Sequence, residues 1–246
     1  MIASARNPLA YDPTVLERVL ARVRAVPGAV VVFDLDSTLL DNKPRQARIL
    51  REFGVANGIP ALAATSNEHW VDWSITHAMA NAGLSADEID RWAESAKQFW
   101  RDRFFTSEYC RVDEAIAGAR DYLAATVAAG ARVAYCTGRH EPMRAGTVES
   151  FARLGFPVPT EQSPGVQLLM KPVFELSDDD WKLEAFARLK QLGGVVAVFD
   201  NEPTHANGYR AGFPDATVVH LATDDSGRPV ALAEGIVSIR DFRRAE

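Results

Sequence analysis

The sequence predicts an α/β fold: a parallel, doubly wound sheet of about five strands, with an all-helical segment inserted after the first strand. Three observations predict it. An apolar, mostly β-branched run, residues 29–33, ends in acids and reads as a strand buried on both faces. From Val112 onward, helical and strand patterns alternate. Between these two regions, residues 45–105 keep a helical pattern that no strand signal interrupts.

The elements follow in order. Asp12 and Pro13 open a helix whose apolar face is Val15, Leu16, Val19, Leu20 and Val23, and Pro27 with Gly28 ends it. The first strand comes next, then a turn-rich connection at 39–44. Inside the helical segment, Ser85 and Glu88 have capping-box spacing and open a helix carrying Ile89, Trp92, Ala93, Ala96, Phe99 and Trp100. Trp70, Trp73, His77 and Met79 precede it at a spacing that fits a packed bundle better than a cofactor site. His69 and His77 have no third ligand nearby, which argues against zinc. The alternating part then reads as helix 114–129, strand 132–137, helix 142–154, strand 166–170, helix 178–192, strand 195–199 and strand 217–221, with 236–239 as an edge addition. No internal repeat is visible. The expected division is a core of residues 1–42 and 110–246 and a helical domain of 43–109, hinged at 40–44 and 106–112.

Composition narrows the function classes. The 246 residues, 47% hydrophobic and 24% charged, suit one α/β core with a small insertion. No apolar stretch reaches the ~20 residues needed to span a bilayer, so no membrane partner is expected. Residues 1–8 lack the continuous apolar segment of a secretory leader, and the expected location is cytoplasmic. A net charge of -6 argues against a nucleic acid polymer held along the surface and leaves room for a local pocket that binds one phosphate. Cys110 and Cys136 have no metal spacing and read as reduced, Cys136 as a small hydrophobe in its strand. A homo-oligomer is compatible with all of this.

The chemistry begins at the end of the first strand. Side chains alternate along a strand, so Asp34 and Asp36 are expected to point the same way. Two carboxylates this close repel unless a cation or a shared proton compensates them. The pair therefore predicts Mg2+ and acid/base chemistry. A carboxylate such as Asp34 can attack a phosphoryl group and split one hard displacement into two easier ones, while Asp36 gives and then takes the proton. The bland alternative, a strand end followed by a polar turn, would account for these acids alone.

Three further pieces follow in order. Thr137, Gly138 and Arg139 close a second strand: a hydroxyl donor to a phosphoryl oxygen, a close backbone approach, and a guanidinium that either forks onto an anion or sits at the surface. Lys182 extends by one turn the stripe Ala185, Phe186, Leu189 and Leu192, so its ammonium faces the sheet and needs an anionic partner. Lys171, at the end of the third strand, is the alternative lysine. Ser177 with Asp178, Asp179 and Asp180 reads as an N-cap with first-turn acids. The run 195–199 is another apolar strand, ending in Asp200. Just beyond it, His205 and Asn207 either line a pocket or cap a turn, and His140 is read the same way.

With these four pieces in place, nearly the whole chain resembles the haloacid dehalogenase superfamily of hydrolases. The resemblance implies a Rossmann-like three-layer core and a helical cap that covers the active site and selects the substrate. It makes Asp34 the nucleophile, Asp36 the general acid and base, and Thr38 the residue that closes the first motif. Thr137 matches the second motif and Lys182 the third, where a lysine neutralises the nucleophile and the transferring phosphoryl group. Asp200 matches the fourth, binding Mg2+ with Asp34 and the backbone carbonyl of Asp36. Dehalogenating members resemble this motif without an acid at the position of Asp36, so phosphoester chemistry is expected. One departure stands out: Asn201, Thr204 and His205 occupy positions where the family carries a second aspartate, leaving Glu202 or Asn201 to support the metal.

The reading is thus a Mg2+-dependent phosphatase of a small phosphorylated metabolite, working through an aspartyl phosphate. A phosphotransferase or mutase of the same fold is the alternative enzyme, and a non-catalytic binding protein the alternative class.

Overall fold

The computed structural model describes residues 11–244, so the N-terminal segment 1–8 lies outside the described residues. The chain forms two compact units. One takes the residues up to Leu40, Ala115–Glu141 and Phe151 onward; the other takes Asp41–Glu114 and Pro142–Ser150. The helical stretch expected at 43–109 lies in the second unit, together with a segment of the alternating region.

In chain order the elements are α1 (Val15–Ala25), β1 (Val30–Phe33), β2 (Leu40–Asp41), α2 (Lys43–Ala56), α3 (Pro60–Ala63), α4 (Ile75–Asn81), α5 (Ala86–Phe104) and α6 (Ser107–Cys110). They continue as β3 (Glu114–Ala115), α7 (Ala119–Ala128), β4 (Arg132–His140), α8 (Arg144–Leu154), β5 (Val166–Lys171), α9 (Asp178–Leu192), β6 (Val195–Asp200), α10 (Pro203–Gly212), β7 (Thr217–Leu221) and β8 (Val237–Ile239). The short strands β2 and β3 pair with each other where the chain leaves the first unit and returns.

The first unit is an α/β Rossmann-like core. Its sheet has six strands in the order β5-β4-β1-β6-β7-β8, with parallel pairings throughout. The sixth strand is the edge addition anticipated at 236–239. Every residue of β1 is buried, as both-face coverage requires, and each such Val or Phe contributes about 1.5–3 kcal/mol of burial. All five apolar residues of the α1 face are buried as well. Beneath the sheet, Val30, Val32, Ala134, Cys136 and Val198 pack with Trp181, Ala185 and Leu189 of α9 and with Ala206 and Tyr209 of α10. From β1 the chain builds outward through β4 and β5 on one side, then continues with β6 on the other side of β1. That reversal is a topological switch point, and the carboxyl ends of β1 and β6 border the crevice it opens.

The second unit is helical. Ala47, Leu50 and Phe53 of α2 pack with Leu62, Trp70, Ile75, Met79 and Ala96, which makes Trp70 a core residue, as its spacing suggested. The capping box forms: Ser85 Oγ accepts from Glu88 N–H at 3.4 Å, and Ser85 N–H donates to Glu88 Oε2 at 2.8 Å. Arg45 and Asp113, neither flagged by the sequence pattern, form a fully buried bidentate pair with Nε to Oδ1 at 2.8 Å. Among the described residues no helix is long and apolar enough to cross a membrane.

Candidate active site

The two acids of the first motif leave the sheet rather than alternating along it. β1 stops at Phe33, whose ring stacks on Phe199 with centroids 4.9 Å apart, and the backbone then folds into a tight turn. Thr38, Leu39 and Leu40 N–H groups all donate to the carbonyl of Leu35, and Ser37 adopts φ 58°. Strand alternation therefore does not set the directions of Asp34 and Asp36; this turn does. The acids end up on different cations. Asp34 Oδ1 accepts from Lys182 Nζ at 2.7 Å, whereas Asp36 is gripped by Arg139, Nε to Oδ2 at 2.8 Å and Nη2 to Oδ1 at 2.7 Å.

Lys182 is the hub. Its ammonium, delivered by the buried face of α9, also donates to Asp200 Oδ2 at 2.9 Å and to the Cys136 carbonyl at 2.7 Å. One charge thus joins acids from the ends of β1 and β6 with the backbone of β4. Lys171, the alternative lysine, instead pairs with Asp178 Oδ1 at 2.7 Å. That contact also explains Gly138: a Cβ there would come within 2.5 Å of Asp178 Oδ2.

Electrostatics follow from this arrangement. Burial pushes the Asp34 carboxyl up, Lys182 pulls it back, and the charges of Asp200 and Asp36 push it up again, leaving it at about 6. Burial also opposes the charge on Asp200, but Lys182 and His205 outweigh it and hold that carboxyl well below its usual range. Lys182, despite the same burial cost, is held firmly protonated by Asp200 and Asp34. Asp34 Oδ2 has no protein partner among the described residues. Both Asp200 oxygens, by contrast, accept hydrogen bonds, from Lys182 and from the Glu202 N–H.

The remaining residues fall around this centre. Thr137 is buried at the end of the regular part of β4, and its Oγ1 accepts from the Arg139 N–H at 3.2 Å. Thr38 Oγ1 donates to Asn201 Oδ1 at 3.1 Å, and Asn201 Nδ2 donates to the Asp224 carbonyl at 2.6 Å. Glu202 accepts from Ser226 N–H at 2.9 Å and Ser226 Oγ at 3.0 Å and lies 3.3 Å from Arg228. Of the oxygens expected to support a metal, that of Asn201 is therefore committed to Thr38 and those of Glu202 to the segment following β7. His205 lies 3.5 Å from Asp200 Oδ1 and 2.9 Å from Asp179 Oδ1; burial opposes its charged form, but Asp200 above all raises its imidazole above the usual range. Asn207 binds the 231–233 segment through both side-chain atoms, and His140 sets its ring edge-on to Phe174.

Pattern reading missed two links. Ser177 caps Asp180 N–H at 3.1 Å as read, yet Asp178 and Asp179 do more than compensate the helix dipole: Asp179 also binds Arg228, Oδ2 to Nη1 at 2.6 Å. The Arg139 and Asp36 pair spans 103 positions, a separation at which no periodicity can signal a contact.

Residues 29–239 match the family model described as haloacid dehalogenase-like hydrolase. Among solved structures, the fold is similar to a haloacid dehalogenase-like family hydrolase from Streptococcus pneumoniae, with 13% identity, TM-score 0.51, and coverage of 85% of this chain and 92% of that one. It is similarly related to Protein Tyrosine Kinase A from Mycobacterium tuberculosis, at 19% identity and TM-score 0.52 with the same coverage of 85% and 92%. At these identities the likeness concerns the fold. No curated protein matches the chain.

Proposed function

The chain belongs to the haloacid dehalogenase-like hydrolase family, and from that premise we propose that it hydrolyses small phosphomonoesters through a phosphoenzyme on Asp34. The observation that carries this reading is the Lys182 bridge: one ammonium fixes Asp34 and Asp200 at 2.7 and 2.9 Å and leaves Asp34 Oδ2 without a protein partner. An anionic oxygen held beside a buried cation at a switch point suits attack on phosphorus. The two fold neighbours carry the names of a hydrolase and a kinase, so fold alone does not choose between hydrolysis and transfer.

The donor set fits Mg2+ in one form. Among the described residues no three acids, imidazoles or thiols converge into a cage. Mg2+, however, is commonly held by one or two carboxylates and keeps several waters. The Asp34 carboxylate, Asp200 and the backbone carbonyl of Asp36 would hold it. Burial first, and then the neighbouring charges of Asp200 and Asp36, raise the Asp34 carboxyl, and a bound cation would offset both. When bound, the ion supplies charge neutralisation at the phosphoryl oxygens.

The protein's own groups then divide the work. Asp34 Oδ2 attacks phosphorus, forming the acyl phosphate as the ester oxygen leaves. Lys182 balances charge beside the attacking carboxylate, and Thr137 with Gly138 at the end of β4 receives the phosphoryl oxygens. Asp36 cannot donate a proton while both of its oxygens accept from Arg139. A phosphomonoester monoanion drawing the guanidinium onto itself releases Asp36 to take the monoanion's proton, pass it to the leaving oxygen and then accept a proton from the attacking water. Thr38, hydrogen-bonded to Asn201, braces the turn that carries both acids.

The test is phosphate release from a panel of small phosphomonoesters, with and without Mg2+, by the unaltered protein and by Asp34→Asn. The expected result is Mg2+-dependent turnover that Asp34→Asn abolishes. Transfer of the phosphoryl group to an added alcohol in place of water would assign a phosphotransferase. A folded protein that neither turns over nor binds Mg2+ calorimetrically would sink the enzymatic reading.

A further inference from the structure

A ligand-sized cavity lies wholly within the helical unit, and nothing argued about it depends on phosphatase chemistry. The entry to α4 and one face of α5 enclose a half-open cleft of about 480 Å³, within the range of small-molecule sites. Trp73, Ile75 and Trp100 line its apolar side. Both indoles lean on the same buried ring, Phe104: Trp73 edge-on with centroids 5.7 Å apart, Trp100 stacked at 4.4 Å. Their positions are fixed before any ligand arrives, so an aromatic guest would meet a preorganised wall.

The polar side carries net positive charge. Lys97 and Arg101 stand one helical turn apart on α5, and neither has an ion-pair partner among the described residues. Glu94, one turn before Lys97, also lines the cleft and offsets one of the two charges. The contrast with neighbouring cations is informative. Arg48 is paired with Glu52, and Arg103 sits over the Phe99 ring, 3.3 Å from its centroid, whereas Lys97 and Arg101 keep their charges for the cleft.

We propose that this cleft binds a small aromatic monoanion, its flat body against Trp73 and Trp100 and its carboxylate or sulfonate-type group on Lys97 and Arg101. A polyanion would meet Glu94 and a neutral ring would leave the cations unused, so a single charge on an aromatic body is the best match.

The experiment is isothermal titration of the full chain with 2-naphthalenesulfonate, alongside 2-naphthol, uncharged at neutral pH, and inorganic sulfate. Saturable one-to-one binding of the sulfonate is expected, with 2-naphthol and sulfate each at least tenfold weaker. Lys97→Ser combined with Arg101→Ser, both exposed positions where folding is not at issue, should weaken the sulfonate at least tenfold. Trp73→Leu, verified as folded by circular dichroism, should do the same. Asp34→Asn should bind the sulfonate unchanged. No saturable binding, equal affinity for 2-naphthol, indifference to the double serine change or to Trp73→Leu, or a change in Asp34→Asn would each overturn the proposal.

Discussion

Replacing Lys182 by methionine keeps most of the apolar stem of a buried side chain and removes only its charge. In the structure that charge serves Asp34, Asp200 and the Cys136 carbonyl, all within 2.9 Å. Removing one partner of a buried ion pair costs about 3–5 kcal/mol, because the other charge is left uncompensated. Here two acids are orphaned, but one has an escape: Asp34 already sits at about 6 and can take a proton. Its folded value, raised further in the variant, lies above the unfolded value of 3.8, so folding takes up a proton. Stability of the variant therefore rises as the pH falls through that raised value and levels off below the unfolded one. Urea denaturation without Mg2+ should show a loss of about 3–5 kcal/mol at pH 8. That loss should shrink toward pH 5 relative to the unaltered protein. Adding Asp34→Asn to Lys182→Met should recover a large part of it. A loss under about 1 kcal/mol at pH 8, far below the buried-pair range, or one indifferent to pH, would show that Lys182 is not the counter-ion of this pair.

Other outcomes follow from the same geometry. Arg139→Ala should lower kcat by about 100-fold, the usual cost of losing a charge-stabilising donor, and Arg139→Lys should not restore it because one ammonium cannot hold both Asp36 oxygens; near-normal turnover by either variant would dismiss the exchange of Arg139 between Asp36 and phosphate. Lys171→Ala, which removes only the partner of Asp178, should leave kcat within about threefold of normal, since no catalytic group would lose a contact; a loss as deep as that of Lys182→Met would move the lysine role. Calorimetric Mg2+ affinity should be constant above pH 6 and weaken about tenfold per unit below it, as protons compete for Asp34. Flat affinity down to pH 4.5 would take Asp34 out of the metal site.

What the sequence made legible was whatever a short-range pattern could encode. Apolar runs that end in acids placed Asp34 and Asp200 at strand termini, and the 3.6-residue stripe of α9 put the Lys182 ammonium on the buried face, where it required an anion. The capping box at Ser85 and the edge strand at 237–239 were readable for the same reason. The turn after β1 was not, because Ser37 takes its left-handed conformation only when the hydrogen bonds to the Leu35 carbonyl close around it. Nor were the contacts of Arg139, Arg45 and Arg228, whose partners lie far along the chain. A guanidinium reaches several ångströms from its backbone, so its partner is set by tertiary packing and leaves no local mark.

The departure at the fourth motif acquires a physical meaning from those unreadable contacts. An acid beside Asp200 would add a further negative charge to a buried site that already pushes Asp34 up to about 6. This chain spends the neighbouring positions differently. Asn201 and Glu202 hold the segment at 224–228, and Thr223 Oγ1, on the same segment, donates to the Ser37 carbonyl in the turn that carries Asp36. His205 then turns its imidazole toward Asp200, whose charge favours the protonated ring, and Asp179, itself held by Arg228, pairs with the other ring nitrogen. Asp200 is thus kept anionic by two protein cations, whereas Asp34 shares only Lys182. The less compensated acid is the one with an open oxygen, and that asymmetry supports the proposed roles of Asp34 as nucleophile and Asp200 as its support, though both end apolar strands of the same kind.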